Sequence, residues 1–255
     1  MTGMDLKTRN SFENAMDGLL RSGYAIFSLA IIAVGVETYI CAGSLRGTLI
    51  DANRLGRVIG PVVAALGVGL LVKRAARTAA MLLGSLLFLH ALVYVLPKYA
   101  GRPRSMGLRT QLFEPLAVAS LAWLLPGEDA MPSWLERSSR YLLAASFVVF
   151  GVDHFLGLAF IGSLIPPWIP WHAFWTALFG AGFIAAGFSI GFHILARWGA
   201  ACVGLMFAIW VFTLHLPRAT LGLYGGRPHN PAEWSSLLIA IALWGGSWAL
   251  ASNVK

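Results

Sequence analysis

Residues 151–175, GVDHFLGLAFIGSLIPPWIPWHAFW, place an acid and two histidines inside a strongly apolar stretch. Asp153 and His154 come directly after the apolar run YLLAASFVVF at residues 141–150. An ionisable side chain at membrane depth costs roughly 2.5–3.5 kcal/mol on insertion scales, so it usually faces the protein interior or a water-filled cavity. This stretch is therefore the first candidate for a functional site.

The same stretch predicts a break in the helix at Pro166, Pro167 and Pro170. Each proline lacks a backbone N–H and restricts the residue before it, so a helix should stop there. A new apolar helix is expected to begin at about His172. Backbone groups freed by the break must be shielded by protein or lie near the lipid headgroups.

The composition of the chain excludes most classes of soluble protein. Of its 255 residues, 58% are hydrophobic and 12% are charged, and the mean hydropathy is +0.72. Soluble domains carry about 25% charged residues, so we expect an integral membrane protein. The net charge of +8 comes from short basic clusters between apolar runs. Such clusters are typical of lipid contacts and orientation signals, so the expected partner is the lipid bilayer and not nucleic acid.

Eight apolar segments follow residue 20, and each is a candidate membrane helix. A span of about 20 residues is needed to cross roughly 30 Å of hydrocarbon. The second and fourth segments are short, so they are interpreted as helices inside the bundle, or for the fourth as a partly inserted helix. The predicted fold class is all-α, a polytopic membrane protein. The segments are residues 24–42, 58–72, 78–96, 112–125, 141–161, 172–195, 198–216 and 234–251.

Residues 1–20 contain charged residues and no continuous apolar core, which argues against a cleaved signal peptide. Phe12, Met16 and Leu19 follow helical spacing. This spacing favours a short helix on the membrane surface, and a frayed terminus is the alternative.

The eight segments form two copies of a four-helix pattern. Residues 35–39, GVETY, in the first segment correspond to residues 151–155, GVDHF, in the fifth, and each copy places an acid near the end of an apolar helix. Four spans are an even number, so we expect both copies to enter the membrane in the same direction, as parallel repeats. Each copy then has a Leu-Pro pair, a Gly-Arg-Pro tripeptide and an acid before its last helix. In the first copy these are residues 96–97, residues 101–103 and Glu114. In the second copy they are residues 216–217, residues 226–228 and Glu233.

The predicted organisation is a surface segment at 1–20, a first four-helix repeat at 21–127 and a second at 138–255. Within about 138–253 the sequence resembles the DoxX and DoxX-like family of four-helix membrane proteins. The resemblance is carried by GVDHF, LIPPWIPWHAFW, FGAGFIAAGFSI and LHLPR, followed by a closing helix that begins at Trp234. The first repeat resembles a diverged copy that lacks the proline-rich break and the histidine beside the acid.

The resemblance implies a fold more directly than an activity. Some members of the family are similar to membrane subunits of thiosulfate:quinone oxidoreductase, and distant relatives include redox-associated and chaperone-like membrane proteins. Quinone is the cofactor that this resemblance allows. The residues themselves predict no cofactor and no metal, because Cys41 and Cys202 stand singly and the histidines lack a ligand spacing.

Asp153 has two interpretations, a proton- or ligand-binding acid, or an acid that pins the bundle by bonding a helix end or an arginine. His154 points about 100° away from it on a helix, so His172 beyond the proline break is the preferred partner. We expect Asp153 and His172 to share a pocket closed by the turn at residues 166–170. Glu37 is the expected counterpart of Asp153 in the first repeat.

One further histidine and three tryptophans are also candidate site residues. His90 belongs to a polar stripe with Tyr94, which predicts either a cavity wall or a histidine satisfied inside the bundle. Trp168, Trp171 and Trp175 are candidate pocket walls, where aromatic faces can hold a flat ring. A membrane-interface belt predicts the same tryptophans.

Three functions fit these observations. The favoured one is a non-catalytic or accessory subunit of a membrane complex with a membrane protein partner, because the sequence contains no nucleotide loop or nucleophile motif and so is not expected to be an enzyme on its own. The alternatives are a quinone-linked redox subunit and a transporter of small solutes or lipids. The basic turn KRAAR at residues 73–77 favours an orientation with both termini in the cytoplasm, in a bacterial-type inner membrane.

Overall fold

The computed structural model describes residues 6–42, 55–127, 130–228 and 230–254. These residues form α-helices, two π-helical turns and short connections, with no β-strand among them, which confirms the all-α prediction. In chain order the elements are α1 (Leu6–Ile40), α2 (Gly56–Leu71), α3 (Ala76–His90), a π turn (Ala91–Val95), α4 (Leu96–Gly101), α5 (Met106–Leu124), α6 (Ser133–Leu156), α7 (Leu158–Leu164), α8 (His172–Gly191), α9 (Ala196–Trp210), a second π turn (Val211–His215), α10 (Leu216–Leu221) and α11 (Pro231–Asn253).

Helices occupy all eight predicted segments, but they differ in their ability to cross a membrane. Within the described residues, five helices are long and apolar enough for a span, and a bent pair raises the number to six. The five are Met16–Ile40, Ala76–Gly101, His172–Gly191, Ala196–Leu221 and Pro231–Asn253, and the bent pair is Ser133–Leu156 with Leu158–Leu164. The two remaining helices are α2, with 16 residues, and α5, and they coincide with the segments predicted to be short.

The predicted surface segment is continuous with the first membrane helix. Helix α1 runs without a break over 35 residues from Leu6, so residues 6–20 extend the helix that contains the first apolar segment. Residues 1–5 of the predicted segment lie outside the described part of the chain.

The fifth predicted helix ends earlier than its apolar pattern indicates. Helix α6 stops at Leu156, and α7 leaves it at an angle of 93°. Gly157 forms the corner, where a Cβ would lie only 2.7 Å from the sulfur of Met106. The apolar pattern does not reveal this bend, because both arms of the corner are apolar. The proline-rich segment follows α7, and Trp171, with a φ of 58°, precedes α8.

Successive long helices pack side by side, and the last returns to the first. Helix α1 packs on α2, α2 on α3, α3 on α5 and α5 on α6, after which α6, α8, α9 and α11 follow in the same way. Helix α11 then packs along α1, where Gly23 and Gly245 bring the two backbones together, and it also contacts α5. One hydrophobic cluster joins residues from both halves, with Phe27 and Phe147 fully buried in it.

Glycines set the separation of the helix pairs that begin each half. A Cβ built on Gly35 of α1 would lie 2.6 Å from the carbonyl oxygen of Gly60 on α2. A Cβ built on Gly151 of α6 would lie 2.5 Å from the carbonyl oxygen of Gly180 on α8. Small residues allow this approach where lipid supplies no hydrophobic driving force between helices. Gly180 and Gly187 of α8 both lie on the face that contacts α6.

Tryptophans make matching contacts at the end of each half. Trp123 of α5 donates its indole N–H to the carbonyl oxygen of Met81 at 3.3 Å, next to Gly84 of α3. Trp248 of α11 donates to the carbonyl oxygen of Ala201 at 3.3 Å, next to Gly204 of α9. In both places the glycine leaves room for the indole ring.

Both π turns come just before a Leu-Pro pair. Pro97 and Pro217 would each meet the carbonyl group four residues earlier in a regular α-helix, and neither has an N–H to bond it. The wider turns Ala91–Val95 and Val211–His215 accommodate the prolines without ending the helices. His215 is the last residue of the second turn.

The glycine contacts predict a position-specific effect of alanine within α1. Gly35→Ala should lower the melting temperature in detergent, because overpacking against a neighbouring backbone costs about 1–3 kcal/mol. Gly18→Ala is the matched control, since a Cβ there has no neighbour within 4 Å. The control should keep or raise the melting temperature, because alanine stabilises a helix interior by up to about 1 kcal/mol relative to glycine. Equal effects of the two substitutions would contradict the close crossing.

Candidate functional site

Asp153, which is buried, forms an ion pair with the partly exposed Arg109. Asp153 lies in the last turn of α6 with 4% of its surface exposed, and Arg109 lies in the first turn of the neighbouring α5. The Nε of Arg109 donates to Oδ1 of Asp153 at 2.6 Å, and Nη2 donates to the same oxygen. The hydroxyl of Thr110 lies 3.5 Å from the other carboxylate oxygen. Arg109 is therefore the main partner of the acid, because the hydroxyl of Thr110 has a closer acceptor in the carbonyl oxygen of Met106, at 3.1 Å.

This ion pair links the two halves of the chain. An isolated charge taken out of water is strongly unfavourable, so removing one partner of a buried pair destabilises far more than removing both. The pair corresponds to the structural interpretation of Asp153, an acid bonded by an arginine. It also lies at the edge of a cavity, because Asp153 and Thr110 contribute to the cavity wall.

The cavity has a volume of about 280 Å³ and lies among α5, α6, α8 and α9. Helix α7 crosses one side of it, because the bend at Gly157 turns the chain over the end of α6. Its lining is mainly apolar, with polar groups at a few points. Small-molecule sites commonly combine apolar walls with a few polar groups that orient the ligand. We call this space the α5–α9 cavity.

Three further ionisable side chains reach the α5–α9 cavity from different helices. Glu114 lies one turn beyond Thr110 on α5, and residues four apart share a helix face. His154 comes from α6, and His215 comes from the second π turn. The sequence separates these three residues widely, and helix packing brings them to one wall.

His154 is oriented by its own helix. Its Nδ1 lies 2.7 Å from the carbonyl oxygen of Phe150. A carbonyl oxygen only accepts, so Nδ1 carries the proton, and Nε2 of the neutral ring is an acceptor. The centroid of the His154 ring lies 5.2 Å from that of the Phe183 ring. Asp153 and His154 are neighbours in the sequence, but their side chains do not pair side by side.

Aromatic rings form another part of the wall. Phe179 and Trp210 have ring centroids 4.8 Å apart, and Phe183 and Phe207 have centroids 5.3 Å apart. All four residues line the α5–α9 cavity. Such rings favour a flat, largely apolar ligand, and the ionisable groups offer it hydrogen-bond donors and acceptors.

Arg109 has the place beside Asp153 that the sequence analysis assigned to His172. His172 is the first residue of α8, its carbonyl oxygen accepts from Thr176 at 2.9 Å, and it is not among the residues that line the cavity. Helix α7 packs against the start of α8, where a Cβ on Gly162 would lie 3.7 Å from the Cβ of His172. Residues of α7, together with Ile165, cover the cavity where residues 166–170 were expected to do so.

The three predicted wall tryptophans also lie outside the cavity lining. Trp168 and Trp171 are exposed, at 65% and 77%, which fits the interface-belt interpretation. Trp168 donates to the hydroxyl of Tyr224 at 3.1 Å. Trp175 packs between Phe174 and Phe179, behind the cavity wall. Trp210 of α9 is the tryptophan that lines the cavity.

The two candidates in the first half make different contacts. Glu37 of α1 accepts a hydrogen bond from the hydroxyl of Ser235 on α11 at 2.5 Å. His90 stacks on Tyr94 with ring centroids 5.4 Å apart, and Lys98 lies over the same ring. The structure does not bring Glu37 or His90 to the α5–α9 cavity.

Sequence reasoning did not select Arg109, Glu114 or His215 as site residues. Glu114 was placed before the last helix of its half, whereas it lies inside α5. Glu114 follows Thr110 by four residues, and this spacing indicates that the two share a face of the helix. The packing of the other helices decides which cavity that face lines. Glu233 differs from Glu114, because it lies in the first turn of α11 and pairs with Arg218 at 2.8 and 2.9 Å.

Within the described ranges, no group of three or more histidine, cysteine, aspartate or glutamate side chains is arranged to hold a metal ion. Comparison of the chain with protein-family models, with curated proteins and with solved structures gives no match. The interpretation of the α5–α9 cavity therefore rests on its own residues and geometry.

The ion pair predicts a strong coupling between Arg109 and Asp153. Arg109→Met should destabilise the protein in detergent by about 3 kcal/mol, because it leaves the buried charge of Asp153 without its partner. Asp153→Leu should destabilise it less, because Arg109 is partly exposed. The double variant should be much more stable than the sum of the single effects predicts. Arg102→Met, in the exposed segment before α5, should leave the unfolding midpoint unchanged. Additive single effects would show that the two side chains do not act as a pair.

Proposed function

We propose that the chain is an eight-helix integral membrane protein built from two parallel DoxX-like four-helix repeats. Several paired features support this proposal. Helix α3, its π turn and α4 recur as α9, its π turn and α10 with the same lengths of helix and turn before each Leu-Pro. The glycine crossings of α1 with α2 and of α6 with α8 also correspond.

The acids support the same proposal. Asp153 on the first helix of the second repeat is met by Thr110 on α5, and Glu37 on the first helix of the first repeat is met by Ser235 on α11. In each case a hydroxyl near the start of a repeat's last helix approaches the acid of the other repeat. A duplicated unit accounts for this correspondence more simply than two independent origins.

For function, we propose that the protein is a membrane subunit that binds a molecule of the quinone class in the α5–α9 cavity. The observation that carries the proposal is the combination of an aromatic wall with Glu114, His154 and His215 at one apolar cavity. A quinone ring is flat and apolar and carries two carbonyl oxygens that accept hydrogen bonds. A protonated Glu114, or a ring N–H of His215, supplies a suitable donor.

The Arg109–Asp153 pair favours a second candidate, an accessory subunit without a ligand. In that interpretation the acid stabilises the bundle, and the protein contributes a surface to a membrane complex. The two candidates make different demands on the cavity. Quinone binding requires access to Glu114 and His215, whereas the accessory function requires only the folded bundle.

Binding of a short-chain benzoquinone to the purified protein in detergent tests the ligand. Saturable binding is expected for the unaltered chain, and Glu114→Met and His215→Met, which remove the donor, should each weaken it by roughly tenfold, the loss expected for one hydrogen bond to a buried group. Both substitutions should leave the melting temperature of the ligand-free protein close to its original value.

Glu136→Met is the control for loss of a carboxylate, because Glu136 lies outside the α5–α9 cavity. It should bind the benzoquinone as the unaltered chain does. Absence of saturable binding, or equal binding by all four proteins, would reject quinone binding in this cavity. Recovery of a stoichiometric partner protein with no quinone in the lipid extract would favour the accessory function.

We propose an orientation with both chain ends in the cytoplasm of a bacterial-type cell. The C-terminal turn of α11 and the end of α5 meet through Asn253, and Arg197 at the start of α9 pairs with Asp17 of α1. Residues 73–77 supply a basic turn. Short basic loops remain on the cytoplasmic side.

A single cysteine at Ser138 tests this orientation, after replacement of the two native cysteines by alanine. Ser138 is exposed near the start of α6. A membrane-impermeant maleimide should label it only after the cells are permeabilised. Labelling of intact cells would reverse the orientation.

A further inference from the structure

A second cavity, of about 340 Å³, lies where the ends of five helices meet. Helices α5, α8 and α11 end beside it, and α6 and α9 begin beside it. It is therefore at the end of the bundle that carries Asn253 and the start of α6. The α5–α9 cavity is lined instead by residues from the later part of α6 and from the bent helix α7. We call the second space the basic cavity.

Arginine side chains dominate the charge of the basic cavity. Arg137 and Arg140 line it from the first two turns of α6, and Glu136 is the acidic residue in its lining. One carboxylate oxygen of Glu136 accepts from the backbone N–H of Met131 at 3.3 Å. Among the described lining residues, two guanidinium groups therefore stand against one partly engaged carboxylate, which gives this part of the lining a net positive charge.

Arg140 has an unused donor. Its Nε is buried and has no hydrogen-bond partner among the described residues. Its guanidinium carbon lies 5.6 Å from the ring centroid of Tyr141, which fixes the side chain without satisfying this N–H. A buried donor without a partner is unfavourable, so an acceptor that enters the cavity and reaches this N–H gains a hydrogen bond.

The backbone around the basic cavity also favours an anion. Ser133 and Ala196 line the cavity at the first residues of α6 and α9, and neither helix has a side-chain cap. Helix N-termini carry partial positive charge and free N–H groups. His193 reaches the cavity from the turn between α8 and α9, where its backbone has a left-handed φ of 59°. This left-handed residue ends α8, and the next backbone N–H, that of Ile194, donates to the carbonyl oxygen of Ser189 at 3.0 Å.

We propose that the basic cavity binds a phosphate group, with Arg137 and Arg140 as its principal ligands. A guanidinium group offers paired N–H donors that match the oxygens of phosphate. His193 and the side chain of Ser133 supply further hydrogen-bonding groups at the same wall. The site is independent of the proposed quinone binding, because the two cavities share no lining residue.

Two sources can supply this group, the headgroup of an anionic phospholipid and free phosphate. The position of the cavity at the ends of membrane helices brings a lipid headgroup within reach. Basic pockets between membrane helices on the cytoplasmic side are suited to anionic headgroups. Leu124, Ile190 and Leu250 provide an apolar side to the same cavity, which suits the start of an acyl chain more than it suits a free anion.

Titration of the full-length protein in neutral detergent distinguishes the sources. The probes are a short-chain phosphatidylglycerol, the matching phosphatidylcholine and inorganic phosphate, with saturable change in the melting temperature as the readout. Phosphatidylglycerol should bind, and Arg140→Gln and Arg137→Gln should each weaken its binding by roughly tenfold, the loss expected for a hydrogen bond to a charged group.

Arg74→Gln is the matched control, because Arg74 is an exposed arginine in the basic turn between α2 and α3 and does not line the cavity. It removes the same charge and should retain the affinity for phosphatidylglycerol. Arg137 is also exposed, so Arg137→Gln gives a folded variant even when Arg140→Gln lowers stability. Saturable binding of inorganic phosphate with the same dependence on Arg137 and Arg140 supports the phosphate site and assigns it to the free anion.

Two results would overturn the proposal. One is that neither phosphatidylglycerol nor inorganic phosphate shows saturable binding. The other is that Arg137→Gln and Arg74→Gln bind phosphatidylglycerol with the affinity of the unaltered chain, since nonspecific attraction to a basic protein surface predicts that result.

Discussion

A carboxylate in an apolar environment needs a partner within the protein, and the arrangement of the helices follows from this need. Asp153 meets Arg109 and Thr110 of α5, and Glu37 meets Ser235 of α11. Helices α5 and α11 also touch each other, so each acid is tied to a helix at the centre of the bundle. Lipid exposure would leave both acids without donors.

Glycine and proline control how closely and in which direction the remaining helices approach. Gly151 lets α6 lie against the backbone of α8, while Gly157 lets the chain turn and carry α7 across the end of that pair. Pro217 is accommodated by a π turn that ends at His215. The α5–α9 cavity is the space enclosed by these three local effects, so its shape depends on backbone features more than on the ionisable residues themselves.

The two cavities differ in the chemistry they offer. The α5–α9 cavity combines aromatic walls with Glu114, His154 and His215, which suits a mainly apolar ring with hydrogen-bonding groups. The basic cavity presents Arg137 and Arg140 at helix ends, which suits an anion near the membrane surface. The chain thus has an aromatic cavity and an arginine-lined cavity at separate positions, with no lining residue in common.

The sequence by itself determined that this is a helical membrane protein, because apolar runs near the length of a span have few other solutions. It also singled out Asp153 and His154, since an ionisable residue inside such a run is conspicuous. Only the tertiary structure decided that Arg109 is the partner of Asp153 and that Glu114 and His215 share a cavity with it. The physical reason is that helical periodicity specifies which residues share a face of one helix, whereas the neighbour of that face depends on glycine contacts and bends that act between helices.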